Sequence, residues 1–300
     1  MKSIAKALLT VALLSGPLVA DAQTFTYTGS IQVVTIATPG LYHLAVSGAS
    51  GGGSYLNSTS SYSGGTGAEV SGDVFLATGT QLGIVVGGAG TFGARVGTSE
   101  IYSGAGGGGS FVYIIGSSQP LAVAGGGGGA GYKQNGSNAS LTASGIAGQG
   151  SSGGSGGVGG TGGAGGSGTD VSSGGTTYGD NGGGGGGWSG NGGNGFLGVS
   201  LGSGLGGSGG LSFTGGAGAP SGSQATNGGF GGGGGGGYNG GGGGGGYSGG
   251  GGGEGEAGSY GGGGGSYLSA SIANQTIADG NTGNGVVTIT ADIVQAPIVP

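Results

Sequence analysis

Cysteine is absent from this 300-residue chain, and charged residues make up only 5% of it. Without cysteine, a small scaffold held by disulfides is excluded. Four basic residues against ten acidic ones give a formal net charge of −6, which excludes a strongly basic nucleic-acid-binding protein. Six prolines are too few for collagen, which also needs glycine at every third position.

The N-terminus has the pattern of an export signal. Lys2 and Lys6 are followed by an apolar run at 7–14, and Ala20 and Ala22 occupy the positions that define a cleavage site. We therefore predict a secretory signal peptide at 1–22, cleaved after Ala22, and a secreted protein. The apolar run is too short to cross about 30 Å of hydrocarbon, so we expect no direct membrane insertion.

The chain after the signal begins and ends with apolar β-type sequence. No stretch of it has a helical apolar period, and several short runs rich in Val, Ile, Tyr and Phe are bounded by Gly or Ser. Such runs predict the strands of a sandwich or jelly roll, with the last strand returning to pair with the early ones. The predicted strands are 25–28, 31–36, 41–46, 68–76, 81–86, 110–115, 121–124, 285–294 and, less clearly, 266–272.

Glycine accounts for 100 residues, many of them in near-pure runs. One interpretation is a disordered, flexible loop. The other is an ordered array of polyproline-II-like helices, which have no internal hydrogen bonds and must pair with one another. Large aromatic residues punctuate the runs, which favours the ordered array. The runs are 106–109, 125–129, 182–187, 231–237, 240–246, 249–253 and 261–265.

These patterns predict an all-β protein: a jelly-roll-like β-sandwich with a large insert of packed polyglycine helices. Residues 23–300 are expected to form a single glycine-rich domain. We assign the β-sandwich to 23–124 and 266–294, and the glycine-rich insert to 125–265.

The order of the motifs resembles a known family. The chain is similar to the glycine-rich extracellular domain of the anaplastic lymphoma kinase and leukocyte tyrosine kinase receptors, and to bacterial-type secreted proteins with such a domain. The resemblance extends from Phe25 to Ile289. It rests on Phe25-x-Tyr27-x-Gly29-x-x-Gln32, Pro39-Gly40-x-Tyr42, Gly48-Ala49-x-Gly51-Gly52, Gly64-Gly65-x-Gly67-Ala68-x-Val70-x-Gly72, a polyglycine run ending in Ser110-Phe111-Val112, Leu121 to Gly125, Tyr247 after 240–246, Tyr267 after 261–265, and Gly285-x-Val287-x-Ile289.

This resemblance implies a β-sandwich that carries a hexagonal array of polyglycine helices and binds protein ligands. It does not imply a kinase, because the chain has neither room for one nor its signatures. Lys133 is the only lysine after the predicted signal, and it lies in a Gly-Tyr-Lys-Gln-Asn context.

Catalytic chemistry is poorly represented. His43 is the only histidine and is expected to be exposed on a strand. The G-x-S-x-G pattern at 153–157 arises from composition and lacks the strand-to-helix context of a nucleophile elbow. Glu254 and Glu256 are the closest carboxylate pair, and we interpret them as solvated charges. We predict no enzyme, no catalytic residues, no metal site and no cofactor.

Three aromatic residues in the glycine-rich region are the candidate binding surface: Trp188, Tyr238 and Tyr247. Large aromatic side chains dominate recognition where they are exposed. The alternative is that they cover the glycine array and contact no ligand.

The function that these observations favour is a secreted, non-catalytic binding or adhesion module at a cell surface. Its partner is expected to be a protein or a glycan, or the protein itself, and not nucleic acid. The alternative is a self-assembling structural matrix or coat protein. An ice-binding protein and an enzyme are weaker hypotheses, since regular threonine ladders and a nucleophile context are missing from the sequence.

Overall fold

The computed structural model describes residues 22–55, 61–93, 95–96, 100–101, 103–150, 156–169, 181–195, 213, 215, 226–255 and 259–292. Within these ranges all regular secondary structure is strand, and no α-helix occurs. The all-β prediction is therefore confirmed. The same ranges contain no helix long and apolar enough to cross a membrane. Most of the predicted signal peptide, at 1–22, lies outside the described residues.

Fourteen strands lie in the described part of the chain, and most coincide with predicted runs. They are β1 (Ala22–Thr26), β2 (Gln32–Thr35), β3 (Gly40–Ser47), β4 (Ser54–Tyr55), β5 (Ser61–Tyr62), β6 (Gly67–Leu76), β7 (Gln81–Val85), β8 (Arg95–Val96), β9 (Glu100–Ile101), β10 (Ser110–Ile114), β11 (Ala122–Ala124), β12 (Tyr267–Leu268), β13 (Ala273–Asn281) and β14 (Val286–Asp292).

The strands form two antiparallel five-stranded sheets and two short hairpins. The first sheet has the order β1-β14-β3-β6-β13, and the second has the order β12-β11-β10-β7-β2. The hairpins are β4-β5 and β8-β9. The last strand, β14, lies between β1 and β3, so it returns to the early strands as predicted.

One hydrophobic core joins the two sheets. On β6 the side chains of Val70, Val74 and Leu76 are buried in this core, whereas Glu69 and Phe75 face solvent. The period of two in the sequence thus sets which face of the strand is inside. Each fully buried aliphatic side chain contributes about 1.5–3 kcal/mol. The second sheet supplies further core side chains, among them Leu82, Ile84, Val112 and Leu121.

Glycine segments continue directly from several strands at one end of the sheets. Residues 48–53 follow β3, 125–131 follow β11, and 103–109 precede β10. These segments are bonded to one another, for example from the amide of Gly107 to the carbonyl of Gly127 at 2.8 Å. We call the bonded glycine segments the glycine array; they are 48–53, 63–67, 87–93, 103–109, 125–131, 136–149, 156–169, 181–195, 226–255 and 259–266. The array therefore includes segments that precede the predicted insert at 125–265.

Aromatic residues cover the outer face of the second sheet. Trp188 and Phe213, from the glycine-rich region, pack against Phe111 and Tyr113 of β10 in a second buried cluster. This arrangement encloses that part of the second sheet on both faces. On the outer face of the first sheet, in contrast, many of the described side chains remain accessible to solvent.

Candidate functional site

Trp188 is a buried residue. Only 7% of it is exposed, and its ring packs against Tyr113 with centroids 5.3 Å apart. Its indole N–H donates to the carbonyl oxygen of Ser118 at 3.0 Å, in the turn between β10 and β11. This placement favours the covering role that the sequence left open for Trp188.

Tyr247 lies at the rim of the same cluster. Its ring stacks on Tyr267 of β12, with centroids 4.4 Å apart, and its hydroxyl is 3.2 Å from the side-chain carbonyl of Gln119. Burial, and then the neighbouring phenol of Tyr267, raise the pKa of Tyr247 above its usual value. Tyr238 is half-buried in the turn before 240–246. A ligand-contacting role for Tyr238 and Tyr247 stays a prediction.

A polar cluster lies on the open face of the first sheet. His43 of β3 and Asp73 of β6 are cross-strand neighbours, and Nδ1 of His43 is 2.6 Å from Oδ1 of Asp73. The side chains are 43% and 13% exposed, respectively. His43 thus faces solvent, as the strand alternation predicts. Because a carboxylate can only accept, Nδ1 carries the proton and Nε2 is left for a ligand or water.

Asn274 completes this cluster from the edge strand β13. Its side-chain amide donates to Oδ2 of Asp73 at 2.7 Å. The backbone of Asn274 has a φ of 51°, and the register of β13 against β6 shifts between Ala273 and Thr276. A bulge of this kind re-aims a side chain, here towards Asp73. The hydrogen bonds from Asn274 and then His43 lower the pKa of Asp73 below its ordinary value.

A shallow cavity of about 200 Å³ adjoins the cluster on the same face. Its polar lining includes His43, Glu69, Ser71 and Thr276. The hydroxyls of Ser71 and Thr276 are bonded to each other at 2.7 Å. Imidazole, carboxylate and hydroxyl groups at one opening can form several hydrogen bonds with a polar ligand.

Sequence reasoning missed this cluster, although it placed His43 on an exposed face. Asp73 is thirty residues further along the chain, and only the register of β3 against β6 brings the two side chains together. Asn274 lies on β13, a strand that the sequence did not predict. Alternation alone could have indicated that Asp73 faces the same way as Glu69.

The glycine array has a three-residue hydrogen-bonding period, clearest at 240–246. Within this segment, amides three residues apart donate to the same neighbouring segment, at 2.8–3.2 Å. The carbonyls of 240–245 accept with the same period, at 2.7–2.8 Å. Six different segments surround it: 104–107, 126–129, 183–186, 234–237, 250–253 and 259–262.

This packing leaves no space for side chains. A Cβ at Gly243 would overlap the carbonyl oxygen of Gly250, and one at Gly241 would overlap that of Gly129. Such overlaps recur through the array, most often with backbone atoms. Glycine is therefore required there by the close approach of backbones.

In one segment of the array, 156–168, the non-glycine residues lie on the solvent side. In 156–168 every third residue is exposed: Val158, Thr161, Ala164 and Ser167. This Gly-Gly-X repeat was not predicted, although its period of three can be read from the sequence. The position of the non-glycine residue in the repeat predicts which side of the 156–168 segment faces solvent.

No family model matches this chain, and none of the curated proteins is similar enough to identify a relative. The resemblance to the receptor domains therefore stays a prediction. Among the described residues, no group of three or more His, Asp or Glu side chains lies close enough to hold a metal ion. Glu254 is buried, so the prediction of a solvated charge is wrong for this residue. Glu256 and most of the G-x-S-x-G pattern at 153–157 lie outside the described residues.

Proposed function

We propose that this protein is a secreted, non-catalytic binding or adhesion module whose partner is a protein or a glycan on a cell surface. The observation that carries the proposal is the open, polar face of the first sheet. On that face, His43 is held by Asp73, Asp73 is held by Asn274, and a cavity adjoins them. The corresponding face of the second sheet is occupied by the aromatic cluster around Trp188.

The predicted secretory signal supports the extracellular location. The non-catalytic role is supported by the sequence, where the only histidine has no distinctive nucleophile context beside it. The cluster has the features of recognition: fixed polar groups at the mouth of a cavity.

For the fold, we propose a jelly-roll-like sandwich capped by three-fold polyglycine helices. Three residues per turn is the geometry of polyproline II, and it turns every third amide towards the same neighbour. The period of three and the six neighbours of 240–246 support hexagonal packing of such helices. A rigid array of this kind would hold the ends of the strands and so keep the open face in place.

The experiment is a titration of the fluorescently labelled protein onto intact producer cells and candidate neighbouring or host cells. We expect saturable binding that falls at least about tenfold in affinity for His43→Ala, the loss of one good charge-assisted contact. Gln81→Ala, an exposed change on the second sheet, is the control. Tyr238→Ala and Tyr247→Ala test the aromatic surface that the sequence predicted. Unsaturable or absent binding to all cells contradicts the proposal.

The second candidate function is a self-assembling matrix or coat. A specific observation favours it: in the described part of the chain, no strand pairs with the outer edges of β1 and β2. Concentration-dependent growth of large assemblies by light scattering would support this function, and a particle of fixed size at high concentration would contradict it.

A further inference from the structure

The two edges of the first sheet differ in how they are protected. On the edge strand β13, the register shifts twice, Asn274 and Gly280 have positive φ values of 51° and 138°, and Asp279 adds a charge. Bulges and charges of this kind prevent an edge strand from pairing with another chain. The other edge strand, β1, pairs with β14 in continuous register over its five residues.

The unprotected flank extends from β1 to β2, the edge strand of the second sheet. The two strands are joined by residues 27–31, and the side chain of Gln32 donates to the carbonyl of Thr26 at 3.0 Å. Residues 22–42 contain no Asp, Glu, Lys, Arg or His. Tyr27, Ile31 and Val33 are nevertheless exposed there, Val33 by 57%.

The outer edge of β2 presents backbone groups for pairing. Ile36 exchanges hydrogen bonds with Thr80 and Gly79, on the side of β7. Backbone groups of successive residues in an antiparallel strand point to alternate edges. The N–H and C=O of Val34 therefore point towards β7, like those of Ile36, and the N–H and C=O groups of Val33 and Thr35 point outwards. No strand in the described part of the chain pairs with that outer edge.

We propose that β2 pairs antiparallel with β2 of a second copy of this chain, extending the second sheet across the interface. In a two-fold contact, residues near the axis meet their own copies, so any charge would face the same charge. The flank at 22–42 avoids this repulsion because it carries no charge, although the chain has a net charge of −6. The dimer does not depend on the binding role proposed above.

The register that uses Ile31, Val33 and Thr35 from each copy places Val33 opposite Val33 of the second copy. Hydrogen-bonded antiparallel pairs have Cα atoms about 5.5 Å apart, within the range of about 4.4–6.8 Å that a disulfide spans. Since the chain has no cysteine of its own, a single introduced thiol reports this contact without background.

The test begins with Val33→Cys under mild oxidation, with Phe75→Cys as its control. Phe75 is 67% exposed on the open face of the first sheet, away from the β2 edge. We expect a disulfide-linked dimer of Val33→Cys to form at least about tenfold faster than that of Phe75→Cys. Equal rates would overturn the proposal.

The second variant is Val33→Lys, which places like charges opposite each other while leaving the core intact. Sedimentation equilibrium should give a dimer for the unmodified protein and at least a tenfold larger dimer dissociation constant for Val33→Lys. If the unmodified protein is monomeric at every concentration, the proposal is overturned. This holds also if the cause is that residues 1–21 or 293–300 cover this edge. A dimer insensitive to Val33→Lys overturns it as well.

Cell binding by Val33→Lys separates this inference from the proposed function. If the Val33→Lys protein is monomeric and still binds cells saturably, cell binding does not depend on self-pairing. This outcome upholds both proposals. Dimerisation without any cell binding would uphold the edge contact and contradict the binding module.

Discussion

The indole N–H of Trp188 donates to the backbone carbonyl of Ser118, 3.0 Å away, and so joins the glycine-rich region to the turn between two strands of the second sheet. Its ring packs at the same time on Tyr113. A single side chain thus fixes a segment of the array to the sheet.

We expect Trp188→Ala to lower the free energy of unfolding by about 3–5 kcal/mol, because the change leaves a large cavity in a packed cluster. Trp188→Phe keeps most of the ring and should cost less. Ile115→Ala, an exposed change near the same turn, is the control and should stay within about 0.5 kcal/mol. Urea denaturation measures all three. Unchanged stability of Trp188→Ala combined with lost cell binding would instead identify Trp188 as a ligand contact.

Glycine in the array is tested by adding one methyl group. We expect Gly243→Ala to destabilise the protein by about 3 kcal/mol, because its Cβ would overlap the carbonyl of Gly250 and force two segments apart. Gly40→Ala is the control: apart from Gly40 itself and its two chain neighbours, no atom lies within 4 Å of its Cβ position. There, reduced freedom of the unfolded chain should stabilise by up to about 1 kcal/mol. Thermal unfolding that shifts equally for both variants would contradict close packing of the array.

The carboxylate of Asp73 makes stability depend on acid pH. Its pKa is lowered from the ordinary value of 3.8 by the hydrogen bonds from Asn274 and His43. A lowered pKa means that ionised Asp73 contributes stability above about pH 4, and that this contribution is lost as the pH falls through the folded-state pKa. We expect the melting temperature of the protein to fall more steeply below pH 4 than that of Asp73→Asn.

Glu69→Gln, which removes a carboxylate from the same face of β6, is the control for a general loss of negative charge. A melting temperature of Asp73→Asn that follows the unmodified protein across the acid range would mean that the hydrogen-bonded cluster contributes nothing.

The backbone of Asn274 predicts a reversed preference between alanine and glycine. At a φ of 51°, the Asn274→Ala protein should be about 1 kcal/mol less stable than the Asn274→Gly protein, because the left-handed region is strained for residues with a Cβ. Both variants lose the bond to Asp73 equally. At Gln275 next to it, where φ is not positive, the usual order in a strand should return. Chemical denaturation of the four variants gives the two differences, and the same order at both positions would contradict the bulge.

Much of the sandwich-like part of the fold could be predicted from residue patterns. The alternation at 69–76 gives the strand β6 and its buried face, and the valine-rich end of the chain gives β14. The strand β13 was missed in full because its sequence, Ala-Asn-Gln-Thr-Ile-Ala-Asp-Gly-Asn, is polar and rich in turn-forming residues. Eight of its nine residues are exposed. The strand therefore does not need a buried apolar side chain at every second position, and its sequence shows no such alternation.

The candidate site was harder to predict than the strands. Of the aromatic residues selected from the sequence, Trp188 is buried and Tyr247 is stacked against Tyr267. The cluster of His43, Asp73 and Asn274 depends on three strands separated by up to 231 positions in the chain. No local pattern specifies such a cluster.

The sequence by itself determined most strands of the two large sheets and the neutral stretch at 22–42, and its glycine runs allowed backbones to approach one another. Each follows from local chemistry: alternation, charge, or the absence of a Cβ. Tertiary structure alone decided which six segments surround 240–246 and which sheet face stays open. Segments of nearly pure glycine have identical surfaces, so side chains cannot encode their neighbours. The strands that precede and follow them, held by the hydrophobic core, fix where each segment begins and hence where its hydrogen bonds go.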